Sequence, residues 1–260
     1  MKGVLEELVH MRRTDAEKRA SAVSIGEIRR LAEEAPPPRD FAGALTGKGR
    51  RIIAELKKAS PSEGLIREDF RPEELARELE EAGAAALSVL CEPHRFLGSG
   101  DYLKRVRKTC SLPLLWKDFV TTPYQIAEAR AAGADAVLLI AAALGAGELA
   151  SLLAFAEKTG IAALVETHSE DEIATAAAAG ADIVGVNCRD LGNFSTDTEL
   201  FGRLTAAIPG NCIRVAESGM HSPEDIARAE AAGADAFLVG TALMKSASPG
   251  EKLKCLLRGN

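Results

Sequence analysis

Glu55 and Lys57 stand two residues apart in the apolar, β-branched run Arg51-Ile-Ile-Ala-Glu-Leu-Lys57. Side chains along a strand alternate between two faces, so both charges share a face with Ile53. If that face looks into a closed sheet, opposite charges occupy positions that would ordinarily hold Val or Leu. A strand end reaching water would account for this pair alone, so the ends of the other apolar runs decide. Lys117, Asp118 and Phe119 follow the third run, Glu166 the fifth, Asn187 and Arg189 the sixth, and Glu217 and Ser218 the seventh. Charged and amide groups converging on one mouth are costly to desolvate unless they pair. Opposite charges and partial burial push pKa values apart, which separates a proton donor from a proton acceptor. General acid–base chemistry is what this set implies, with Glu55, Lys57, Lys117, Glu166, Asn187, Glu217 and Ser218 as candidates.

A second signal lies beside it. Gly219 follows the seventh run, and Gly240-Thr241 the eighth. Glycines there let backbone N–H groups approach an oxyanion, and Thr241–Lys245 is expected to open a short helix pointing at it. A phosphate in that corner is a recurrent arrangement of barrel enzymes. Ser60-Pro61-Ser62 and Gly64 leave the first run in a loop with hydroxyls and a flexible backbone position.

The elements that must position these residues are eight short apolar runs: Ile52–Leu56, Ala86–Leu90, Pro113–Trp116, Ala136–Ile140, Ala162–Val165, Ile183–Val186, Ile213–Ala216 and Ala236–Val239. Amphipathic patterns such as Pro72–Ala82, Pro123–Ala132, Glu170–Ala179 and Pro223–Ala232 lie between them. Thr122-Pro-Tyr-Gln125, Ser169-Glu-Asp-Glu172 and Ser248-Pro-Gly-Glu251 each combine an N-cap residue with Glu or Gln at N3. Strand–helix alternation implies a parallel sheet covered by helices. Glu81-Ala-Gly-Ala84, Ala132-Gly-Ala-Asp135, Ala179-Gly-Ala-Asp182 and Ala232-Gly-Ala-Asp235 repeat before every second run, each offering a glycine to end a helix. Eight runs in such a repeat predict a closed (β/α)8 TIM barrel, whose active site lies at the C-terminal strand ends. Residues 1–48 are expected to form an N-terminal helical extension packed on the barrel, the whole 1–260 being one domain. Within it, Arg12 to Arg19 reads as a solvated helical surface, and Ser24-Ile-Gly-Glu27 as a capping box opening a helix through Glu34, stopped by Pro36-Pro37-Pro38.

Composition narrows the function classes. With 47% hydrophobic and 27% charged residues the chain is ordinary globular protein. A net charge of −6 argues against nucleic acid or an anionic membrane as partner. The longest apolar run, Ala136 to Leu144, is far short of the roughly 20 residues of a membrane span, and Met1-Lys-Gly-Val-Leu-Glu-Glu-Leu has no signal-like apolar core. A cytoplasmic protein is expected. Five cysteines and four histidines are dispersed without CxxC or HExxH spacing, so neither a disulfide framework nor a metal site is expected.

Glu55-Leu-Lys-Lys-Ala-Ser-Pro-Ser62, Trp116-Lys-Asp-Phe119, Leu164-Val-Glu-Thr167, Val186-Asn-Cys-Arg-Asp-Leu191, Ala216-Glu-Ser-Gly219 and Leu238-Val-Gly240 resemble the successive strand-end motifs of indole-3-glycerol-phosphate synthases. The resemblance runs from Pro38-Arg-Asp-Phe41 to the C-terminus, and no second barrel follows, as in the monofunctional form. It implies a carboxy-lyase of tryptophan biosynthesis that closes the pyrrole ring of 1-(2-carboxyphenylamino)-1-deoxyribulose 5-phosphate, releasing CO2 and water without metal or organic cofactor. Carried over, Lys117 would protonate the ketone as the arene carbon attacks, and Glu166 would be the base of the later dehydration. Lys57 would bind the substrate carboxylate, a share in the acid role being left open. Glu55, Asn187, Glu217 and Ser218 would orient these groups and hydrogen-bond substrate hydroxyls. Phe96, Phe119 and Leu191 would line the aromatic pocket with Arg189 at its rim, and Ser60, Gly219, Gly240 and Thr241 would hold the phosphate. The partner implied is this small phosphorylated substrate, on a monomer or weak homo-oligomer, with the Ser60–Arg67 loop closing over it.

The sequence departs from the family at Cys91-Glu92, where Thr-Asp is common, at Cys188, and in the loop Pro93-His-Arg-Phe-Leu-Gly98. These are expected to alter the pocket wall or loop closure. Two other activities fit the residues: a Schiff-base aldolase using Lys57 or Lys117 on a phosphorylated carbonyl compound, and a non-catalytic barrel that binds phosphorylated metabolites or scaffolds another enzyme.

Overall fold

A computed structural model describes residues 3–189 and 195–258. Among these, eight parallel strands close into a barrel: β1 (Arg51–Leu56), β2 (Ala86–Leu90), β3 (Leu114–Lys117), β4 (Ala136–Ile140), β5 (Ala162–Thr167), β6 (Ile183–Asn187), β7 (Ile213–Glu217) and β8 (Ala236–Val239). Each pairs with the next, and β8 returns to β1 in the register Ile53↔Leu238. This is the TIM barrel that the alternation predicts. The period of two shows in its packing. Ile52, Ala54 and Leu56 face outward into the core shared with the helices, as do Leu87, Val89, Val137 and Leu139. Ile53, Leu115, Leu138, Leu164, Val215 and Leu238 fill the interior instead.

Several strands run further than their apolar stretches. Lys117, Glu166, Asn187 and Glu217 are strand residues held in the hydrogen-bonded ladder, whereas the apolar runs end one residue before each. A hydrophobicity criterion stops at the first charged or amide side chain, although the backbone pairing does not. The difference matters for function, because side chains on a ladder are positioned more tightly than side chains on loops.

Helices α1 (Val4–Ala22), α2 (Ile25–Glu34) and α3 (Phe41–Ala44) precede the barrel; α4 (Pro72–Glu81), α5 (Gly100–Arg107), α6 (Pro123–Ala131), α7 (Ala146–Thr159), α8 (Glu170–Ala178), α9 (Leu200–Leu204), α10 (Pro223–Ala231), α11 (Thr241–Met244) and α12 (Pro249–Leu257) follow. The four repeat glycines Gly83, Gly133, Gly180 and Gly233 have φ of 99, 92, 86 and 100°, the left-handed conformation that ends a helix without Cβ strain. Ser24, Thr122 and Ser169 cap their helices, each accepting from the N3 backbone N–H; at Ser24 this is the one half of the expected capping box that forms among the described residues. Ser248 does not: the Gly250 N–H at the start of α12 donates to Glu78 Oε1 at 2.7 Å, so a carboxylate of α4 takes the cap's place.

The expectation of a solvated Arg12–Arg19 surface holds for the exposed Arg13, Glu17 and Lys18 and is corrected at Arg12. Arg12 is 3% exposed and grips Asp118, just past β3, with Nε and Nη2 at 2.8 and 2.6 Å. A third bond reaches Asp15, which in turn pairs with His94 Nε2 at 2.7 Å. Arg19 makes a two-pronged contact with Glu128 on α6, and Ile28 of α2 packs with Tyr124 and Ala127 of the same helix. No helix among the described residues is long and apolar enough to cross a membrane.

Candidate active site

The strand ends at the C-terminal mouth bring the charged candidates together. Lys117 Nζ lies 2.8 Å from Glu166 Oε2 and 3.2 Å from Glu217 Oε2, a cation of β3 held between carboxylates of β5 and β7. Lys57 Nζ, just past β1, lies 2.7 Å from Glu55 Oε1. The Asn187 side chain stands beside Glu166 and favours its ionised form, and its Oδ1 accepts from the Arg189 N–H at 3.0 Å. Ser60 is buried, and Ser62 Oγ sits 2.5 Å from Arg189 Nη1, joining the loop after β1 to the one after β6.

One cavity is lined by Glu55, Lys57, Ser60, Phe96, Lys117, Phe119, Glu166, Asn187, Arg189, Glu217, Ser218, Gly219, Gly240 and Thr241. Leu191 lies outside the described residues. Leu90, Leu138, Ile140 and Leu238 add an apolar wall that the charged motifs did not reveal. The Phe96 and Phe119 rings meet at 6.2 Å and 44°, a tilted pair able to flank a planar ring. Ser218 and Gly219 both have positive φ, 64 and 77°, which turns the chain sharply beside the start of α11.

Burial by itself would suppress the Lys117 ammonium, but Glu166, Glu217 and Glu55 outweigh it and hold the group well above an ordinary lysine. The two carboxylates respond oppositely. Burial opposes ionisation of Glu166, yet Lys117 and His168 win and keep it ionised well below its usual range. Burial and the charge of Glu166 push Glu217 up to about 7 against the pull of Lys117. Its Oε1 has no partner among the described residues. A carboxylic-acid infrared band should therefore fade as pH rises through about 7, and Glu217→Gln should lack it; a band that persists in that variant would contradict this.

Two glycines make room for these acids. A Cβ on Gly185 in β6 would overlap Glu217 Oε1, and one on Gly240 would overlap Glu55 Oε1. Gly185 carries no chemistry of its own, so the motif reading passed over it. Gly185→Ala should displace Glu217 from Lys117, lowering kcat more than stability, the latter by about 1–3 kcal/mol for an overpacked site. Kinetics beside thermal unfolding would check that order; normal turnover would show the carboxylate free to move aside.

Glu92 is not a mouth residue. It is fully buried, and its oxygens accept from the His94, Arg95 and Phe96 N–H groups at 2.7, 2.7 and 2.9 Å. This departure from the family pattern thus pins the loop that presents Phe96. Asp118 points away from the reacting groups towards Arg12 and Trp116 Nε1. Cys91 and Cys188 are buried, and burial raises both thiols.

Comparison with known proteins agrees with the motifs. The sequence pattern of the family described as indole-3-glycerol phosphate synthase matches residues 5–256. Indole-3-glycerol phosphate synthase 2 of Streptomyces coelicolor is 47% identical over 257 residues, covering 99% of this chain and 100% of that protein. The synthase of Mycolicibacterium vanbaalenii is 47% identical over 246 residues, 95% of this chain and 90% of its own. Among solved structures, an N-acetylmannosamine-6-phosphate 2-epimerase from Clostridium perfringens superposes with a TM-score of 0.62 at 16% identity, over 78% of this chain and 90% of that one. A thiamine phosphate pyrophosphorylase from Pyrococcus furiosus gives the same score and identity over 84% and 96%; at that distance both speak for the fold alone. Matched from helix α1 to helix α12 and at this identity, the chain belongs to the indole-3-glycerol phosphate synthase family.

Proposed function

We propose that the Lys117–Glu166 pair is the acid–base engine of this family's reaction, the conversion of 1-(2-carboxyphenylamino)-1-deoxyribulose 5-phosphate to indole-3-glycerol phosphate, CO2 and water. The observation that carries this is one ammonium wedged between two buried carboxylates of unlike proton affinity. Lys117, held protonated, donates to the ketone oxygen as the arene carbon attacks. Glu166, held ionised, takes the methylene proton when water leaves. Glu217 hydrogen-bonds Lys117 and, while neutral, leaves Lys57, Lys117 and Arg189 facing only Glu55 and Glu166. That is an excess of one positive charge, three against two, for a ligand bearing a carboxylate and a phosphate.

Lys57 binds the substrate carboxylate, oriented by Glu55, and Asn187 and Ser218 hold hydroxyls. The anthranilate ring lies against Phe96 and Phe119, and the phosphate sits on Ser60, Gly219, Gly240 and Thr241 where β7 and β8 end. The Ser60–Arg67 loop closes over it, and Arg189 at the rim holds that loop through Ser62. Adding the substrate and following indole fluorescence tests the reaction. Borohydride with substrate tests the aldolase alternative: a covalent adduct on Lys57 or Lys117 would replace proton transfer by Schiff-base chemistry.

A further inference from the structure

Ring closure takes up a proton in each turnover. The arene carbon bonds to the ketone carbon, and the C=O electron pair moves to oxygen, which takes a proton. The carboxylate then leaves as neutral CO2, returning its bonding pair to the ring. Dehydration removes a proton from the methylene carbon and adds another to the departing hydroxyl. The oxygen has gained two protons and carbon has lost one, so one must enter from solvent. Glu166, which handles these protons, is only 2% exposed. A substrate seated in the mouth covers it further.

His168 stands behind Glu166, outside the lining of the cavity. Its Nε2 lies 3.8 Å from Glu166 Oε1, and its Nδ1 lies 3.5 Å from Glu172 Oε2. Both ring nitrogens are buried without a well-aligned hydrogen bond. The His168 backbone N–H donates to the same Glu172 oxygen at 2.8 Å, fixing that carboxylate beside the ring. The Glu172 side chain, in the first turn of α8, is 25% exposed, so this chain of groups ends in water. The charged groups facing the imidazole are Glu166 of β5, Glu172 of α8 and Glu217 of β7. Burial would lower its proton affinity, but the three carboxylates outweigh burial and favour the imidazolium.

We propose that His168 is a proton relay, carrying the proton consumed in each turnover from Glu172 at the surface to Glu166. From there it passes to Lys117, whose Nζ is 2.8 Å away. A small swing of the imidazole closes the gaps of 3.8 and 3.5 Å; catalytic hydrogen bonds are often long before substrate binds. His168 acts through Glu166 and touches no substrate. This inference rests on the Lys117 and Glu166 roles proposed above.

The test compares wild type, His168→Ala, His168→Gln and Glu172→Gln in steady-state turnover, in H2O and D2O, with and without imidazole. Both His168 variants are expected to lose about tenfold in kcat with KM unchanged, less than the ~10²–10⁴ of a positioned acid or base. Their solvent isotope effect should rise, Glu172→Gln should follow in the same direction, and imidazole should restore His168→Ala. Glutamine fills the site but carries no exchangeable charge, so full activity in His168→Gln overturns the relay. A loss that imidazole leaves unmoved, at the wild-type isotope effect, also overturns it, leaving a purely structural clamp. Thermal unfolding identifies any variant that fails to fold; should His168→Ala do so, the two glutamine variants decide. An error in the underlying roles shows separately, as undiminished turnover of Lys117→Ala.

Discussion

Lys117→Ala is expected to lower kcat by about 10²–10⁴, the range for removing a positioned general acid, while the barrel stays folded. The loss has two sources. The ketone oxygen loses its proton donor, and Glu166 loses the charge that keeps it ionised. Without the ammonium, two buried carboxylates face each other, and both should move to higher pKa. The base-limited limb of the variant's rate profile should then shift to higher pH. Lys117→Arg separates the two sources. A guanidinium restores the charge beside Glu166 and Glu217 but stays protonated throughout the working range, so it holds the base without serving as the acid. Activity in Lys117→Arg is therefore expected to remain low while the pH limb returns towards wild type. Turnover in Lys117→Ala equal to wild type would remove Lys117 from the mechanism.

The fold was legible because three independent patterns agreed. Apolar runs of strand length and capped amphipathic helices describe one βα unit, the Ala-Gly-Ala repeat describes a pair of them, and four such pairs left a closed barrel as the answer. Candidate site residues were legible because buried strands ordinarily carry no charge: Glu55, Lys117, Glu166 and Glu217 stood out against their own neighbours. What the sequence hid was burial that looks like exposure and support that looks like nothing. Arg12 sits in a run of charges that reads as a wet helix face, and only the tertiary approach of α1 to β3 shows it to be interior. Gly185 is informative only once the carboxylate of Glu217 is seen in the space its Cβ would fill. Glu92 is a carboxylate just past a strand, as the mouth residues are, but its role depends on three N–H groups whose convergence no spacing rule reports. His168 lay among dispersed histidines, and its approach to Glu166 from behind is a fact of the β5–α8 turn.

Arg12→Met is expected to cost about 3–5 kcal/mol of stability, because breaking a buried pair strands the remaining charge. The side chains of Arg12 and Asp118 are 4% and 0% exposed, so water cannot replace the lost partner. For a chain of this size the midpoint of thermal unfolding should fall by roughly 6–20 °C. Adding Asp118→Leu should recover much of the loss, since an apolar pair leaves no stranded charge. If the single variant melts like wild type, the pair contributes nothing to the fold. The pair also bears on chemistry. Asp118 directly follows Lys117 and points to the opposite side, its Oδ1 accepting from the Phe119 N–H at 2.9 Å and its Oδ2 from Trp116 Nε1 at 3.3 Å. Arg12 thereby fixes the end of β3 from outside while Glu166 and Glu217 fix Lys117 from inside. The double variant should consequently regain stability before it regains turnover, because the apolar pair restores packing without the bidentate hold. Recovery of both together would show that the N-terminal helix supports the barrel without setting the position of the proposed acid.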